Sequence, residues 1–366
     1  VSEVPAPNYA ERLQRVRETV SAAHVDALLI SALPNVRWLT GFSGSNALVL
    51  VTVREVTLFT DFRYETQVAD EVASHVRTVI VPQSLWSGVW SALEEWTVVL
   101  RIGFESPHLT HHDVQRFTER AGRWQWQGTS GLVEALREEK DASERAAIQR
   151  AIGIAERAFQ RVLPQIHPGL RETQVAGLLE HELRDEGSEG FPFETIVAAG
   201  ARSALPHARA SSATVHPGDL LLIDYGAIAD GYCADITRSV VVGSATERQR
   251  EVYAVVQEAN RLASAAVRPG MTGAAADAIA RDYIERSGYG GQFGHSLGHG
   301  IGLEVHEAPR LAKTSDADLS VHAVVTIEPG IYLPGWGGVR IEDDVWLSPE
   351  GPVVLTSLRR DLVELC

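Results

Sequence analysis

Asp224 and Asp235 lie on either side of an Asp230-Gly231 step, in Leu220-Leu-Leu-Ile-Asp224-Tyr-Gly-Ala-Ile-Ala-Asp230-Gly231-Tyr-Cys-Ala-Asp235-Ile-Thr-Arg238. An Asp-Gly step between apolar runs is the strongest short signal for a β-hairpin. A two-residue turn there pairs Ala229 with Tyr232 and Gly226 with Asp235. Strand side chains alternate, so Asp224 shares a face with Gly226 and hence with Asp235. The carboxylates are then diagonal neighbours, roughly 7–8 Å apart at Cα, and both can reach one cation. Read alone, the pair could equally be one exposed acid and one turn acid.

A second cluster follows: Phe293-Gly-His295-Ser-Leu-Gly-His299-Gly-Ile-Gly-Leu-Glu-Val-His306-Glu307. Glycines at 294, 298, 300 and 302 let the backbone pass close to another group. Histidine is both a metal ligand and a proton carrier near neutral pH. A single histidine is usually a packed or surface residue; three among glycines point to a site. The glycines break any helix, so this is not the helical His-Glu-x-x-His zinc pattern. Further on, Glu328 ends the apolar strand Val324-Val-Thr-Ile just before Pro-Gly, and Arg340 and Glu342 stand two apart on a strand, on one face. As a surface pair these two would contribute at most about 1 kcal/mol.

Asp224, Asp235, Glu328 and Glu342 each interrupt or end a strongly apolar strand, which places them on an inner sheet face. Four converging carboxylates repel strongly unless cations neutralise them. Two divalent ions do so. With His299 as a nitrogen donor the set is oxygen-rich and suits Mn²⁺, Co²⁺ or Zn²⁺. Two such ions could share a hydroxide and hold both ends of a bond undergoing hydrolysis.

The elements that must position these groups fall into two parts. At 366 residues the chain is long enough for two domains, and its 45% hydrophobic and 22% charged residues are ordinary globular values that exclude wholesale disorder. A net charge of −15 makes nucleic acid and anionic membranes poor primary partners. Two cysteines, Cys233 and Cys366, make no disulfide framework and fit a reducing, cytoplasmic compartment; Cys233 is read as core. No run of 18 uncharged apolar residues predicts a membrane span. The charged first 25 residues read as an amphipathic helix, not a signal peptide. The chain begins at Val1 and its one methionine is Met271, which leaves an upstream targeting segment open.

In the first part, helix signals at 9–23, 61–71, 85–93 and 111–120 alternate with strand signals at 27–30, 47–51, 55–59, 78–81 and 98–104. That order predicts an α/β domain with a mixed sheet. The charged stretch Arg137-Glu-Glu-Lys-Asp-Ala-Ser-Glu144 interrupts it, with Asp141 and Glu144 spaced as a capping box for a helix to about 163. The boundary falls there, giving domains 1–137 and 138–366. In the second part, helices (to 163, then 172–185) precede strands; helices at 245–267 and 273–287 again precede glycine-rich strands. Helices then strands, twice, suggests two similar halves, although no sequence identity links them.

The order Asp224, Asp235, His299, Glu328, Glu342 resembles that of the pita-bread metallopeptidases, a group that includes methionine aminopeptidases, aminopeptidase P and prolidase. Gly298-His-Gly-Ile-Gly-Leu-x-Val-His-Glu307, Glu328-Pro-Gly, Arg340-Ile-Glu-Asp343 and Ala204-Leu-Pro-His207 all match, over roughly 142–360. Asn35-Val-Arg-Trp-Leu-Thr-Gly-Phe-Ser-Gly-Ser-Asn46 resembles the creatinase-like amino-terminal domain of the Xaa-Pro branch, which methionine aminopeptidases generally lack. The implied fold class is α/β plus α+β: a creatinase-like α/β domain followed by a pita-bread catalytic domain.

The resemblance implies that Asp224 chelates a first metal, Asp235 and Glu342 bridge both, and His299 and Glu328 complete the second. A bridging hydroxide would attack the scissile carbonyl, with Glu328 handling its proton. His306 would steady the oxyanion, and His207 would lie near the bound amide and leaving group, since a tetrahedral oxyanion needs donors in a dry site. His295, Tyr332 and Arg340 match substrate-contacting or supporting positions. No ligand is replaced, unlike in creatinases, which cleave without metal, and in pita-bread domains that only bind proteins.

The implied activity is hydrolysis of the Xaa-Pro bond in a proline-containing di- or oligopeptide. The compact two-domain length favours a dipeptidase (prolidase) over aminopeptidase P. A dipeptidase must receive a free carboxylate beyond the proline, and a cation serves, because a hydrogen bond to a charged group contributes about 1.5–3 kcal/mol. Arg37, in a segment expected to be loop-rich and to overhang the site, is one candidate; its other reading is an exposed strand arginine. Arg202 and Arg209, flanking His207, are further candidates. A homodimer is the expected assembly.

Overall fold

The structure, a computed structural model, describes residues 6–96, 100–119 and 124–365. The chain divides into two compact units that meet between Arg137 and Glu138. Residues 1–5, 98–99, 120 and Cys366, on which some sequence-based expectations fall, lie outside the described residues.

The amino-terminal unit runs α1 (Tyr9–Ala22), β1 (Ala27–Ile30), α2 (Leu33–Thr40), β2 (Ala47–Thr52), β3 (Val56–Asp61), α3 (Glu65–Glu71), β4 (Arg77–Val81), α4 (Leu85–Glu94), β5 (Leu100–Glu105), α5 (His111–Glu119), β6 (Trp124–Thr129) and α6 (Glu134–Arg137). Its sheet has the order β4-β3-β2-β1-β5-β6 and is mixed: β1–β2 and β2–β3 are antiparallel, the other pairs parallel. This is the expected α/β architecture.

Helix α2 departs from the expected loop or strand and carries Arg37, half-buried, on a regular turn. Its signals are present in the sequence: Pro34 in the first turn and Gly41, left-handed at φ 87°, just past the end. The strand β6, with Trp124 and Trp126 between glutamines, also escapes the sequence pattern. Glu105 at the end of β5 accepts the N–H groups of Ser31 and Ala32 at the start of α2 and an amide N–H of Asn35, which in turn accepts from Arg137. Asn35 thus has an internal structural role in this unit.

The carboxy-terminal unit contains α7 (Ala142–Val162), α8 (Glu172–Asp185), β7 (Ile196–Ala199), β8 (Leu220–Tyr225), β9 (Ile228–Ala229), β10 (Tyr232–Cys233) and β11 (Ile236–Val242). These are followed by α9 (Glu247–Ala266), α10 (Gly273–Ile284), β12 (Gly298–Gly300), β13 (Glu307–Leu311), β14 (Val324–Ile327), β15 (Gly330–Leu333), β16 (Gly337–Arg340), β17 (Asp343–Ser348), β18 (Gly351–Val354) and β19 (Glu364–Leu365). Asp141 and Glu144 form the expected capping box at the start of α7.

The two halves recur in structure. Each has a helix pair, then three antiparallel strands adjacent in one sheet: β7-β8-β11 and β12-β14-β17. Each inserts a small hairpin between its last two strands, β9–β10 or β15–β16. Strand parity then directs the acids. Leu221, Ile223, Ile236 and Val240 join the core with α7 and α8, while Val325, Ile327, Val345 and Leu347 join the core with α9 and α10. Asp224, Asp235, Glu328 and Glu342 have the opposite parity and turn away from the helices. Each acid sits where a strand meets its hairpin insert.

Candidate metal centre

The expected hairpin register is present: Ala229 pairs with Tyr232, and Tyr225 with Ile236. Asp230 and Gly231 take the positive φ angles, 50° and 77°, of the tight turn. The ladder is interrupted at Ala234–Asp235, between β10 and β11. Cys233 is two residues from Asp235, so simple alternation would put both on one face; across that break Cys233 packs into the apolar core.

His299 lies in the middle of β12, which is squeezed between β13 and β14. A Cβ on Gly298 would come within 1.9 Å of the Thr326 carbonyl oxygen, and one on Gly300 within 2.1 Å of that of Ala308. Only glycine fits on either side of His299. Gly294 differs: nothing lies within 4 Å of its would-be Cβ, so close approach does not explain it. Glu328 follows β14, held by its N–H to the Leu297 carbonyl, and leads into the β15–β16 hairpin rather than an isolated Pro-Gly turn. Arg340 ends β16 and Glu342 precedes β17; both are buried, which excludes the surface-pair reading.

Among the described residues, Asp235, His299 and Glu342 bring ligand atoms within 4.8 Å of one another, a spacing suited to a metal ion. His299 Nε2 is 3.5 Å from Glu328 Oε1 and 3.7 Å from Asp235 Oδ2. His299 Nδ1 lies 3.1 Å from the Gly300 carbonyl, which can only accept; Nδ1 therefore carries the proton and Nε2 presents its lone pair to the acids. Asp224 joins the cluster through Arg340, whose Nη2 donates to Asp224 Oδ2 at 2.6 Å. Thr237 donates to Glu342 at 2.6 Å and accepts from Arg340 Nε at 3.0 Å.

The electrostatics are those of an acid cluster short of positive charge. Burial first, then the charge of Glu342, raises the Asp235 and Glu328 carboxyls well above the usual range. Burial and Asp224 push Glu342 up to about 8. Burial holds His299 down to about 4, so it is neutral at pH 7. One carboxylate oxygen of Asp224 and one of Asp235 are buried with no hydrogen-bond partner. Orphaned oxygens on adjacent buried acids, beside a neutral imidazole lone pair, fit divalent cations.

The cleft that holds these groups, about 1110 Å³, is lined by many charged side chains together with apolar surface. Arg340 Nη1 donates to the Tyr332 hydroxyl at 2.9 Å, which leaves the Tyr332 proton for His295 Nε2 at 2.8 Å. Burial, then Arg340, lowers His295 to about 3, consistent with a neutral acceptor. His207 and His306 are exposed and line the same cleft, and the rings of His306 and His299 lie 4.4 Å apart. Arg202 is not available to a substrate: its Nε bonds both oxygens of the buried Glu172, and its Nη2 the Arg209 carbonyl. Arg209 pairs with Glu194 on the exposed rim. Two cations that the sequence motifs do not single out, Arg310 and Lys313, also line the cleft. Their only sequence signal is position, a few residues beyond His306.

Buried carboxylates around a histidine lone pair, in an open cleft, fit a metal-dependent hydrolase. The chain belongs to metallopeptidase family M24, whose model matches residues 146–349, and carries a creatinase/prolidase N-terminal domain over residues 12–138. It is similar to the solved Xaa-Pro dipeptidase from Bacillus anthracis: 40% identical, TM-score 0.94, covering 98% of this chain and 100% of that one. The X-Pro aminopeptidase from Thermotoga maritima is 38% identical with a TM-score of 0.89, over 96% of this chain and 99% of that one. The Xaa-Pro dipeptidase of Pyrococcus horikoshii is 36% identical over 96% of this chain and 99% of its own. No helix among the described residues is long and apolar enough to cross a membrane.

Proposed function

We propose that this metallopeptidase is an Xaa-Pro dipeptidase. The observation that carries the reading is a buried set of four acids and one histidine beside the Arg340–Tyr332–His295 chain of hydrogen bonds. Full-length likeness to Xaa-Pro dipeptidases supports it.

Asp224, Asp235, His299, Glu328 and Glu342 would hold two divalent cations, with Mn²⁺, Co²⁺ and Zn²⁺ the candidates. Bound there, such ions supply positive charge to a developing oxyanion and acidify water. Glu328, ionised once cations offset the neighbouring acids, takes the proton released as water attacks the scissile carbonyl. His306 donates to the oxyanion and His207 to the departing amide region. An Xaa-Pro bond has no N–H, so recognition falls on the proline ring and the group beyond it. His295 and Arg340, which line the cleft, with Tyr332 bonded between them, are the candidates to meet it. Arg37, Arg310 and Lys313 are the candidates to receive a dipeptide's carboxylate. The protein is further read as a cytoplasmic homodimer.

Likeness to the Thermotoga maritima X-Pro aminopeptidase favours a second reading, release of the first residue from longer Xaa-Pro peptides. Elemental analysis with hydrolysis of Ala-Pro and Ala-Pro-Ala, before and after chelation, decides between the readings. About two metal ions per chain and chelator-sensitive cleavage confined to Ala-Pro support the dipeptidase. Preference for Ala-Pro-Ala supports the aminopeptidase. Arg37→Ala should admit tripeptides while sparing metal binding; an unchanged preference removes Arg37.

A further inference from the structure

Helix α10 carries Asp277 and Arg281 one turn apart, on one face. Their side chains are 1% and 14% exposed and form a two-pronged ion pair, at 2.5 and 2.7 Å. The pair has further partners, all in the segment 293–297. Arg281 Nη1 donates to the Phe293 carbonyl and Nη2 to the His295 carbonyl, both at 2.7 Å. Asp277 Oδ1 accepts the Leu297 N–H at 3.0 Å. The guanidinium also lies 4.2 Å from the centre of the Phe293 ring.

One ion pair therefore fixes the backbone at every second residue around His295. The glycine at 294 has open space around it and supplies no restraint of its own. His295 is the last member of the chain Asp224–Arg340–Tyr332–His295, so its place depends on a segment that α10 holds. His299 is anchored differently, by the β12 strand and by its N–H to Thr326. Arg281 grips the carbonyls of Phe293 and His295, whereas Asp277 grips Leu297, whose own carbonyl accepts the Glu328 N–H; the Arg281 half of the clamp is therefore the half that bears on His295.

We propose that Asp277 and Arg281 are positioning residues that set substrate affinity by holding His295. The proposal rests on the reading of His295 as a residue on the proline side of the cleft. Lysine at 281 keeps the charge opposite Asp277 but cannot span two carbonyls, because its donors radiate from one nitrogen. The test compares the unaltered protein, Arg281→Lys and Asp277→Asn for Ala-Pro kinetics, inhibition by proline, metal content and hydrogen exchange over 293–298. Arg281→Lys should raise KM and weaken proline inhibition about tenfold, as expected for a lost charged hydrogen bond. Its kcat should stay within about threefold, metal per chain should not change, and exchange should rise in 293–298 alone.

Unchanged KM and unchanged exchange in a folded Arg281→Lys protein overturn the proposal, as does a loss of metal equal to the loss of affinity. Should Arg281→Lys fail to fold, Asp277→Asn, which keeps an acceptor for Leu297, carries the same expectations. Should the unaltered protein not cleave Ala-Pro, the reading of its activity fails. The exchange measurement then still decides the clamp.

Discussion

Thr237→Val would test whether the metal centre depends on groups behind the ligands. Thr237 is fully buried, and its single hydroxyl proton goes to Glu342 at 2.6 Å while its oxygen accepts from Arg340 Nε at 3.0 Å. Valine has nearly the same shape, so little cavity forms and the loss is polar. Arg340 keeps Asp224, Tyr332 and the Pro206 carbonyl. Glu342 loses the donor that favours its ionised form, against the burial and the Asp224 charge that raise it to about 8. A hydrogen bond to a charged group contributes about 1.5–3 kcal/mol. Metal affinity should therefore fall by about 10- to 100-fold, as for other groups that orient metal ligands. Calorimetric titration of the chelated protein with Mn²⁺ measures this, and Thr237→Ser should restore most of it. A folded Thr237→Val protein that binds Mn²⁺ as tightly as the unaltered protein would show that Thr237 does not support the metal centre.

Four other outcomes are expected. Glu342 has an ordinary value of 4.5 and a raised one of about 8 in the metal-free fold. Folding disfavours its ionised form, so the melting temperature of the metal-free protein should fall as pH rises between these values. Mn²⁺ must displace that proton, so its affinity should rise over the same window; an affinity flat from pH 6 to 8 would contradict this. Chelation should lower the melting temperature, and Mn²⁺ at 100 times its dissociation constant should restore about 2.7 kcal/mol, read by scanning calorimetry. Lys140→Met should cost about 3–5 kcal/mol in urea unfolding, because the Lys140 and Glu307 side chains form a 2.6 Å ion pair and are 1% and 7% exposed; a loss below about 1 kcal/mol would show the pair to be dispensable.

Most of the site is legible in the sequence because it is built on period-two strands and a tight turn. The Asp230-Gly231 step sets the register that predicts Asp224 and Asp235 on one face, and that register resumes at Ile236 after the break at Ala234–Asp235. The features that escape depend on contacts distant in sequence. Arg202 flanks His207 and looks like a substrate cation, yet Glu172, thirty residues earlier, occupies it. Arg281 precedes the histidine cluster by more than a helical turn of sequence, and only the folded position of α10 shows that it grips Phe293 and His295. Arg37 misleads for a local reason: its neighbours suggest a loop or strand, but Pro34 and Gly41, the helix start and stop signals around it, prevail.

The repeated plan explains why the acids come in two pairs. Each half ends one strand with an acid, inserts a hairpin, and begins or nearly begins the next strand with another. One half alone gathers two carboxylates, which a single cation could satisfy. The two halves together gather four, and burial with their mutual repulsion raises the Asp235, Glu328 and Glu342 carboxyls above the usual range. Arg340 relieves only part of this, because its guanidinium is shared with Thr237, Tyr332 and the Pro206 carbonyl as well as Asp224. The orphaned oxygens of Asp224 and Asp235 mark the remainder. A fold selected for stability alone would replace such acids with apolar residues, since breaking or burying unbalanced charge costs several kcal/mol. Their retention at matching positions in both halves is intelligible if divalent cations complete the site.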